Sequence, residues 1–306
     1  MNHGIGVASK AFVISDAAGK MPVIEGGMRR TDPEASVWAS WSARVGGVSS
    51  TSNVAAGLRF NIPTKGTMAH AFVMSYYEQA GKSSESELDA FSAYISRYTL
   101  EKSVLLVDTY DTLGSGVPNA IKAGGPGLMG IRLDSGDLVE LAFEARKMLD
   151  DAGMQCTQIF ASSGLDEHSI AEIRKSDAPI DGVLVGERLT QVSDLPVTGV
   201  VYKIVEEGHS PRCKHAENKP SYPFRKQVAI CNDKEKGELV YFVYREDASG
   251  NVEELPDRYE VIQPIMITSC EDAANFDAIS LIITSKVSRS VISDEIMTAF
   301  EESKEQ

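Results

Sequence analysis

The sequence predicts an α/β fold in which parallel strands alternate with helices, as in a β/α barrel or a doubly wound sheet, and three observations point there. The stretch from Val104 to Asp137, VLLVDTYDTLGSGVPNAIKAGGPGLMGIRLDSGDL, reads as strand, turn, helix, strand, turn. Its first apolar run, Val104 to Val107, ends at Asp108, a helical segment follows Val117, and a second run around Met129 to Leu133 breaks at Asp134-Ser135-Gly136-Asp137. Two buried strands joined by a crossover helix form a parallel unit. Strand-like segments also recur along the chain, many of them roughly 20–30 residues apart with helical segments between. Finally, the later runs end in small or polar clusters, Ser162-Ser163-Gly164 after one and Gly186-Glu187-Arg188 after the next. In parallel sheets the carboxyl ends of the strands line the ligand crevice.

In chain order, residues 5–18 read as a helix stopped by Gly19, and Pro22–Glu25 as a strand running into a Gly26-Gly27 turn that carries Arg29 and Arg30. Asp32-Pro33-Glu34 has the form of an N-cap with proline in the first turn, opening a helix towards Ser42. Val45–Ser50 reads as a short strand, Thr51-Ser52-Asn53 as the start of a small-residue helix, and Ile62–Lys65 as a segment entering Gly66-Thr67-Met68-Ala69-His70 and a helix through Tyr77. Segment 82–98 is a polar-capped amphipathic helix. In segment 137–152, Leu138, Leu141, Ala142, Ala145, Met148 and Leu149 recur at helical spacing, so they are core residues. Apolar runs at Gln158–Ala161, Gly182–Val185 and Gly199–Val205 complete the strand set, with a helix around 166–176.

From about residue 206 the texture changes. A Pro-rich basic segment precedes Glu238–Arg245, which reads as one strand of a hairpin closed by Ala248-Ser249-Gly250, and the tail ends in a charged helix over 293–306. The expected organisation is therefore an α/β domain over 1–205 and a smaller β-rich segment with a helical tail over 206–306.

Composition narrows the function. A length of 306 residues with 42% apolar content suits a globular chain of one large or two modest domains. The net charge of −14 argues against nucleic-acid binding and against an anionic membrane surface, so an anionic substrate needs a local Arg and Lys cluster. Cys156, Cys213, Cys231 and Cys270 are scattered, with no CxxC and no metal-like pairing with His; they read as reduced cytosolic cysteines. No run approaches a membrane span and the first residues lack a signal-peptide pattern, so the expected location is cytoplasmic.

The chemistry sits at two strand ends. Asp108, Tyr110, Asp111, Arg132, Asp134, Ser135 and Asp137 all fall there. Acids and hydroxyls beside one arginine suit a polyhydroxylated, phosphorylated ligand with a divalent cation. A single Asp at such a place is also open to the plainer reading of a cap on the next helix, but two strand ends loaded alike point to a ligand. His70 follows a Gly-Thr turn at a strand end, the rim where chemistry occurs in these folds. The Val104–Gly116 stretch is similar to the pyrophosphate-sugar motif of type I phosphoribosyltransferases. However, that motif needs paired acids before a Thr-Gly-Gly-Thr-like loop, which DTYDTLGSG does not supply.

Taken in order, IEGGMRR, GGVSSTSNVAAG, GTMAHAF, VLLVDTYDTLGSGVPNAI, GIRLDSGDL and ASSGLDE closely resemble nicotinate phosphoribosyltransferase, a type II phosphoribosyltransferase, over about residues 5–230. The resemblance implies a β/α-barrel-like domain with a small β-rich C-terminal segment. It implies transfer of the phosphoribosyl group of phosphoribosyl pyrophosphate to the ring nitrogen of nicotinate, in NAD salvage. ATP hydrolysis would be coupled through a phosphorylated histidine, and Mg²⁺ would be required. His70 would be that histidine. Arg29 and Arg30 would sit near the nicotinate and the pyrophosphate, and Arg132 and Asp134 at the pyridine carboxylate region and the ribose hydroxyls. Ser163, Gly164, Gly186 and Arg188 would surround the 5′-phosphate, and Ser52, where related nicotinamide enzymes place an Asp, would favour the acid over the amide. Asp108, Ser135 and Asp137 complete the expected substrate-binding set, with no dedicated protein metal site.

Several positions depart from the family pattern. The family's N-terminal part, including an aromatic that stacks on nicotinate across the dimer, has no counterpart here. Gly26 replaces the usual Phe, Ser49 replaces an acid, and Leu184-Val185-Gly186-Glu187 replaces a Gly-Val-Gly-Thr phosphate loop. Lys214-His215-Ala216 replaces Lys-x-Ser. These departures leave an alternative, a catalytically impaired fragment or subunit that binds phosphoribosyl ligands or a partner chain; the family's dimers imply a homodimer or association with an N-terminal portion. A third reading, a different β/α-barrel phosphate-ester enzyme, would leave the RLDSGD block to chance.

Overall fold

A computed structural model of the protein describes residues 2–76, 83–194, 204–207, 210–211, 223–224, 226–245, 256–265 and 289–292. The chain divides into two compact units, Met1–Thr198 and Gly199–Gln306. In the first, helix α1 (Asn2–Ala18) ends at Gly19, whose φ of +64° is open to glycine without strain. Strand β1 (Val23–Glu25) follows. Helix α2 (Pro33–Val45) starts where Asp32 accepts from the backbone N–H groups of Glu34 and Ala35 at 3.0 and 3.3 Å, with Pro33 in its first turn.

The strand expected over Val45–Ser50 is shorter than its residues suggest. Helix α2 takes Val45, and Gly46, Gly47 and Val48 fold back to bond the helix's last carbonyls, with Gly47 at φ +103°. Only β2 (Ser50–Thr51) remains. Asn53 caps α3 (Val54–Phe60), and α4 (His70–Met74) and α5 (Ser83–Tyr98) follow. Strand β3 (Val104–Leu106) leads through a wide helical turn at Thr112–Gly116, capped by Asp111, into α6 (Val117–Gly124). The rest alternates: β4 (Gly130–Leu133), α7 (Leu138–Asp151), β5 (Gln158–Ala161), α8 (Glu167–Lys175), β6 (Gly182–Val185) and α9 (Glu187–Gln191).

The six strands form one parallel sheet in the order β2-β1-β6-β5-β4-β3. Read as a ring, that order is sequential, with β6 closing onto β1 and one seam between β2 and β3, as a β/α barrel requires and a doubly wound sheet does not. The seam is spanned by residues 63–67. Thr51 donates to Pro63 O and accepts from the Lys65 amide, each at 3.0 Å, and Thr67 Oγ1 donates to Val104 O at 2.9 Å.

Alternation along the strands sorts the side chains. Ile131 and Leu133 of β4, and Val183 and Val185 of β6, are buried in the outer core under the helices. Their neighbours Arg132 and Leu184 line the interior with Ile24, Val104 and Phe160. Each fully buried aliphatic chain of the outer core contributes about 1.5–3 kcal/mol through the water its surface sheds.

In the second unit, β7 (Glu206–Glu207) pairs with β8 (Ser210–Pro211), and a four-stranded sheet has the order β11-β9-β10-β12, from β9 (Lys226–Asp233), β10 (Glu238–Arg245), β11 (Tyr259–Ile265) and β12 (Arg289–Ile292). The hairpin expected downstream of β10 lies upstream instead. Strand β10 is antiparallel to β9, and β11 pairs with β9 rather than β10. The turn between β9 and β10 is set by Asp233, which accepts from the Glu235 and Lys236 amides, and by Gly237 at φ +66°. Ala248-Ser249-Gly250, residues 199–203 of the strand expected over Gly199–Val205, Tyr77, Lys214-His215-Ala216 and the tail over 293–306 lie outside the described residues. No helix among the described residues is long and apolar enough to cross a membrane.

Candidate active site

Asp108, His70, Asp134 and Ser135 meet at the carboxyl ends of β3 and β4. Asp108 follows β3 with its carboxylate 1% exposed, and both oxygens are engaged. His70 Nε2 lies 3.2 Å from Oδ1, and Ser135 Oγ donates to Oδ2 at 2.5 Å. A carboxylate that accepts both contacts places a ring proton on Nε2, and in the neutral ring the lone pair is then on Nδ1, which is 3.9 Å from Asp134 Oδ2. His70 heads α4, so the turn from the seam segment presents its ring to the rim. The Asp134 carboxylate is 30% exposed, and its other oxygen accepts from Ser162, whose hydroxyl also reaches Leu133 O.

Beneath this rim the barrel interior holds an open-sided cavity of about 290 Å³, close to the lower end of the ~300–1,000 Å³ typical of small-molecule sites. It is lined by Ile24, Val104, Phe160 and Leu184, with Arg132, Lys65 and Lys102 as cations and Glu101 as an acid on the same lining. The Nε atom of Arg132 is buried without a hydrogen-bond partner. Burial holds the guanidinium below the usual arginine range, opposed by the nearby Asp134 and Asp108 carboxylates and reinforced by Arg29. A largely desolvated arginine with an unmet donor, beside the apolar part of this lining, is suited to a carboxylate on a flat apolar body.

The remaining sequence-predicted residues lie at neighbouring strand ends, in several environments. Arg29 and Arg30 occupy the exposed turn after β1, a short 3₁₀ segment over Met28–Arg30. Arg30 pairs with Glu187 at 3.0 Å, with both side chains about half exposed. Ser52 follows β2 and is partly buried. Ser163 and Gly164 form an exposed turn after β5 at φ +102° and +62°, a conformation that costs about 1–3 kcal/mol at a non-glycine residue. Gly186 precedes α9, and Arg188 on that helix is exposed. Asp137 caps α7, accepting from the Val139 and Glu140 amides at 3.0 Å each, so its Oδ1 serves the helix.

Two residues absent from the predicted set support it. Glu25, fully buried at the end of β1, accepts from Ser40 Oγ at 2.8 Å, Thr51 Oγ1 at 2.6 Å and the Gly27 amide. One carboxylate thereby ties together β1, β2, α2 and the turn that bears Arg29. An acid closing an apolar strand run was its visible signal. Ser162 was visible within the Ser162-Ser163-Gly164 cluster, but its partner Asp134 comes from a strand end 28 residues earlier.

No family model matches the chain. A nicotinate phosphoribosyltransferase of Bacillus subtilis is 44% identical over 211 residues, covering 67% of this chain and 41% of that relative. One from Mycobacterium tuberculosis is 41% identical over 227 residues, covering 74% and 50%. Among solved structures, human nicotinic acid phosphoribosyltransferase matches with a TM-score of 0.67 at 21% identity, over 98% of this chain and 74% of that one. A nicotinate-nucleotide pyrophosphorylase from Pyrococcus furiosus matches with a TM-score of 0.60 at 25% identity, over 100% and 70%. The fold is thus the one shared by these two enzymes. By sequence, the chain belongs to the nicotinate phosphoribosyltransferase family. It spans about half the length of the curated relatives it matches.

Proposed function

We propose that this chain carries the reaction of its family, transfer of the 5-phosphoribosyl group of phosphoribosyl pyrophosphate to the ring nitrogen of nicotinate, with release of pyrophosphate, in cytoplasmic NAD salvage. The observation that carries the reading is Arg132: a buried guanidinium with an unmet Nε donor, between an apolar cavity and a rim of Asp108, Asp134 and Ser135. The cavity suits the pyridine ring and Arg132 its carboxylate, while the rim acids suit ribose hydroxyls and an oxocarbenium-like centre. Ser52 supplies no charge to oppose a carboxylate, and Arg29, Arg188 and the Ser163-Gly164 turn suit the phosphates.

ATP and Mg²⁺ enter the same proposal. His70, with Nε2 directed to Asp108 and a lone pair on Nδ1, is the residue we assign to accept the γ-phosphoryl group of ATP. Among the described residues no group of three or more His, Cys, Asp and Glu side chains is arranged to hold a metal. Mg²⁺ commonly joins one or two carboxylates to substrate phosphates; Asp134, with one oxygen free of the Ser162 contact, is the residue that would join it. Bound there, Mg²⁺ would neutralise charge on the leaving pyrophosphate. We further propose a homodimer, supported by the exposed apolar side chains Trp38, Val54 and Leu58 on α2 and α3.

The test is assay of the purified chain with nicotinate, phosphoribosyl pyrophosphate, Mg²⁺ and ATP, following pyrophosphate and nicotinate mononucleotide. Formation of both in equal amounts is expected. Absence of turnover together with absence of nicotinate binding by calorimetry would overturn the proposal.

A further inference from the structure

Leu184 occupies an unusual place in the barrel. It points inward from β6, in register with Ile24 of β1, and lines the same cavity as Arg132 and Phe160. Ile24, Val104 and Phe160 are 7%, 7% and 5% exposed, so those walls are packed in place, whereas Leu184 is only partly buried and presents its branch to the cavity. That branch lies over the end of β1. A Cβ added at Gly26 would stand 2.5 Å from Leu184 Cδ2 and 2.9 Å from its Cγ.

The isobutyl group therefore fills the space that a side chain at position 26 would take, and the wall at this point of the cavity is made by residue 184 alone. The backbones beneath it leave no slack. The Gly26 amide donates to Val185 O at 2.8 Å, and a Cβ at Gly186 would meet Gly26 O at 3.2 Å. Leu184 cannot withdraw by spreading β1 from β6 without breaking that bond.

We propose that Leu184 sets the acceptor specificity of this cavity, narrowing it to a single-ring aromatic carboxylate held by Arg132 and excluding a fused two-ring one. The inference rests on the function proposed above and deepens it. Arg132, with Lys65 and Lys102 on the same lining, supplies charge that any aromatic acid would use, so charge does not discriminate by size; discrimination falls to the wall. In an apolar pocket a methylene's worth of space changes the preference between ligands by roughly 10–200-fold. Removing an isobutyl branch beside a cavity of about 290 Å³ is a change of at least that kind.

The experiment is calorimetric titration of the full chain with nicotinate and with quinoline-3-carboxylate, repeated for Leu184→Ala and Leu184→Met. The unmodified chain should bind nicotinate and discriminate against the bicyclic acid. Leu184→Ala should weaken nicotinate and strengthen quinoline-3-carboxylate, moving the ratio of their affinities by roughly 10-fold or more. Leu184→Met, close in volume, should keep the original ratio. A residue that only supported the fold would move both affinities together and leave the ratio fixed. If Leu184→Ala does not fold, Leu184→Val must move the ratio in the same direction. Nicotinate binding with a ratio unchanged by truncation overturns the inference while the function stands. Failure of both acids to bind the unmodified chain overturns the function and the inference with it.

Discussion

His70 Nε2 and Asp108 Oδ1 stand 3.2 Å apart, one from the first turn of α4 and the other from the end of β3. Asp108 is held by Ser135 on its other oxygen, so the histidine is oriented by a residue that is itself fixed. Asp108→Asn can present an N–H to the ring where the carboxylate accepted one, which favours the wrong tautomer. Incubation with γ-labelled ATP should label the unmodified chain with an acid-labile, alkali-stable phosphoryl group. His70→Ala should abolish the label and Asp108→Asn should reduce it, and both should lower the ATP-stimulated rate more than the ATP-free rate. Equal labelling of Asp108→Asn and the unmodified chain would remove the orienting role.

Arg132 separates affinity from stability. Its guanidinium is desolvated with one donor unmet, so the folded chain gains little from it. Arg132→Ala should leave the melting temperature near that of the unmodified chain while lowering kcat/KM for nicotinate by roughly 100-fold or more, the scale seen when an aimed donor is removed. Arg132→Lys should recover only part of the loss, because an ammonium cannot offer the same donor geometry. Steady-state kinetics with a thermal melt decides; a few-fold loss would displace Arg132 from the centre of the site.

Arg30 and Glu187 form an ion pair at the strand end proposed to receive phosphate. Its 3.0 Å contact is half exposed, so it adds little stability, on the order of 0–1 kcal/mol. It does keep a carboxylate beside a cation that an anionic ligand would otherwise reach. Glu187→Gln should lower the KM for phosphoribosyl pyrophosphate several-fold, with an unchanged melting temperature, and Glu187→Gln combined with Arg30→Ala should lose that gain. A KM that rises in the single variant would mean that Glu187 helps to bind the ligand.

Much of this architecture was legible because its causes are local. Asp32 caps the helix that follows it, Gly19 stops α1 with a positive φ, and the apolar runs of β3 to β6 are recognisable without partners. What was not legible depends on residues distant in sequence. Val45 and Val48 look like strand residues, but bonds from Gly46–Val48 back to α2 claim the segment. The pairing of β10 with the preceding strand is fixed by a turn whose anchor, Asp233, reads as one more surface acid. In the site, the strand-end residues Asp108, Arg132, Asp134 and Ser135 could be named from their position alone. Asp137 could not be separated from them, since a cap and a ligand-binding acid look alike in sequence. Neither the keystone contacts of Glu25, nor the Glu187 contact with Arg30, nor the packing of Leu184 over Gly26 follows from any local pattern.

Glu87 gives the fold a pH dependence that can be read apart from catalysis. It is fully buried on α5; Oε2 accepts from Asn119 Nδ2 at 3.0 Å, and Oε1 is buried without a partner. Burial pushes its carboxyl above the usual glutamate range, the Asp108 and Asp111 carboxylates add to the rise, and the Asn119 bond together with the nearby Ser115 hydroxyl partly opposes it. An acid whose folded pKa is raised holds its proton more tightly when folded than when unfolded. Its contribution to stability is therefore full below the unfolded value and is lost as pH rises through the folded one. Glu87→Gln keeps the acceptor for Asn119 and removes the titration. The unmodified chain and Glu87→Gln should melt alike in acid, where Glu87 is neutral, and the variant should become the more stable as pH rises past the ordinary glutamate range. Thermal melts of both proteins across that window test this. Parallel curves, or a gap that narrows with rising pH, would show that Glu87 is ionised in the fold and stabilised by groups other than Asn119 and Ser115.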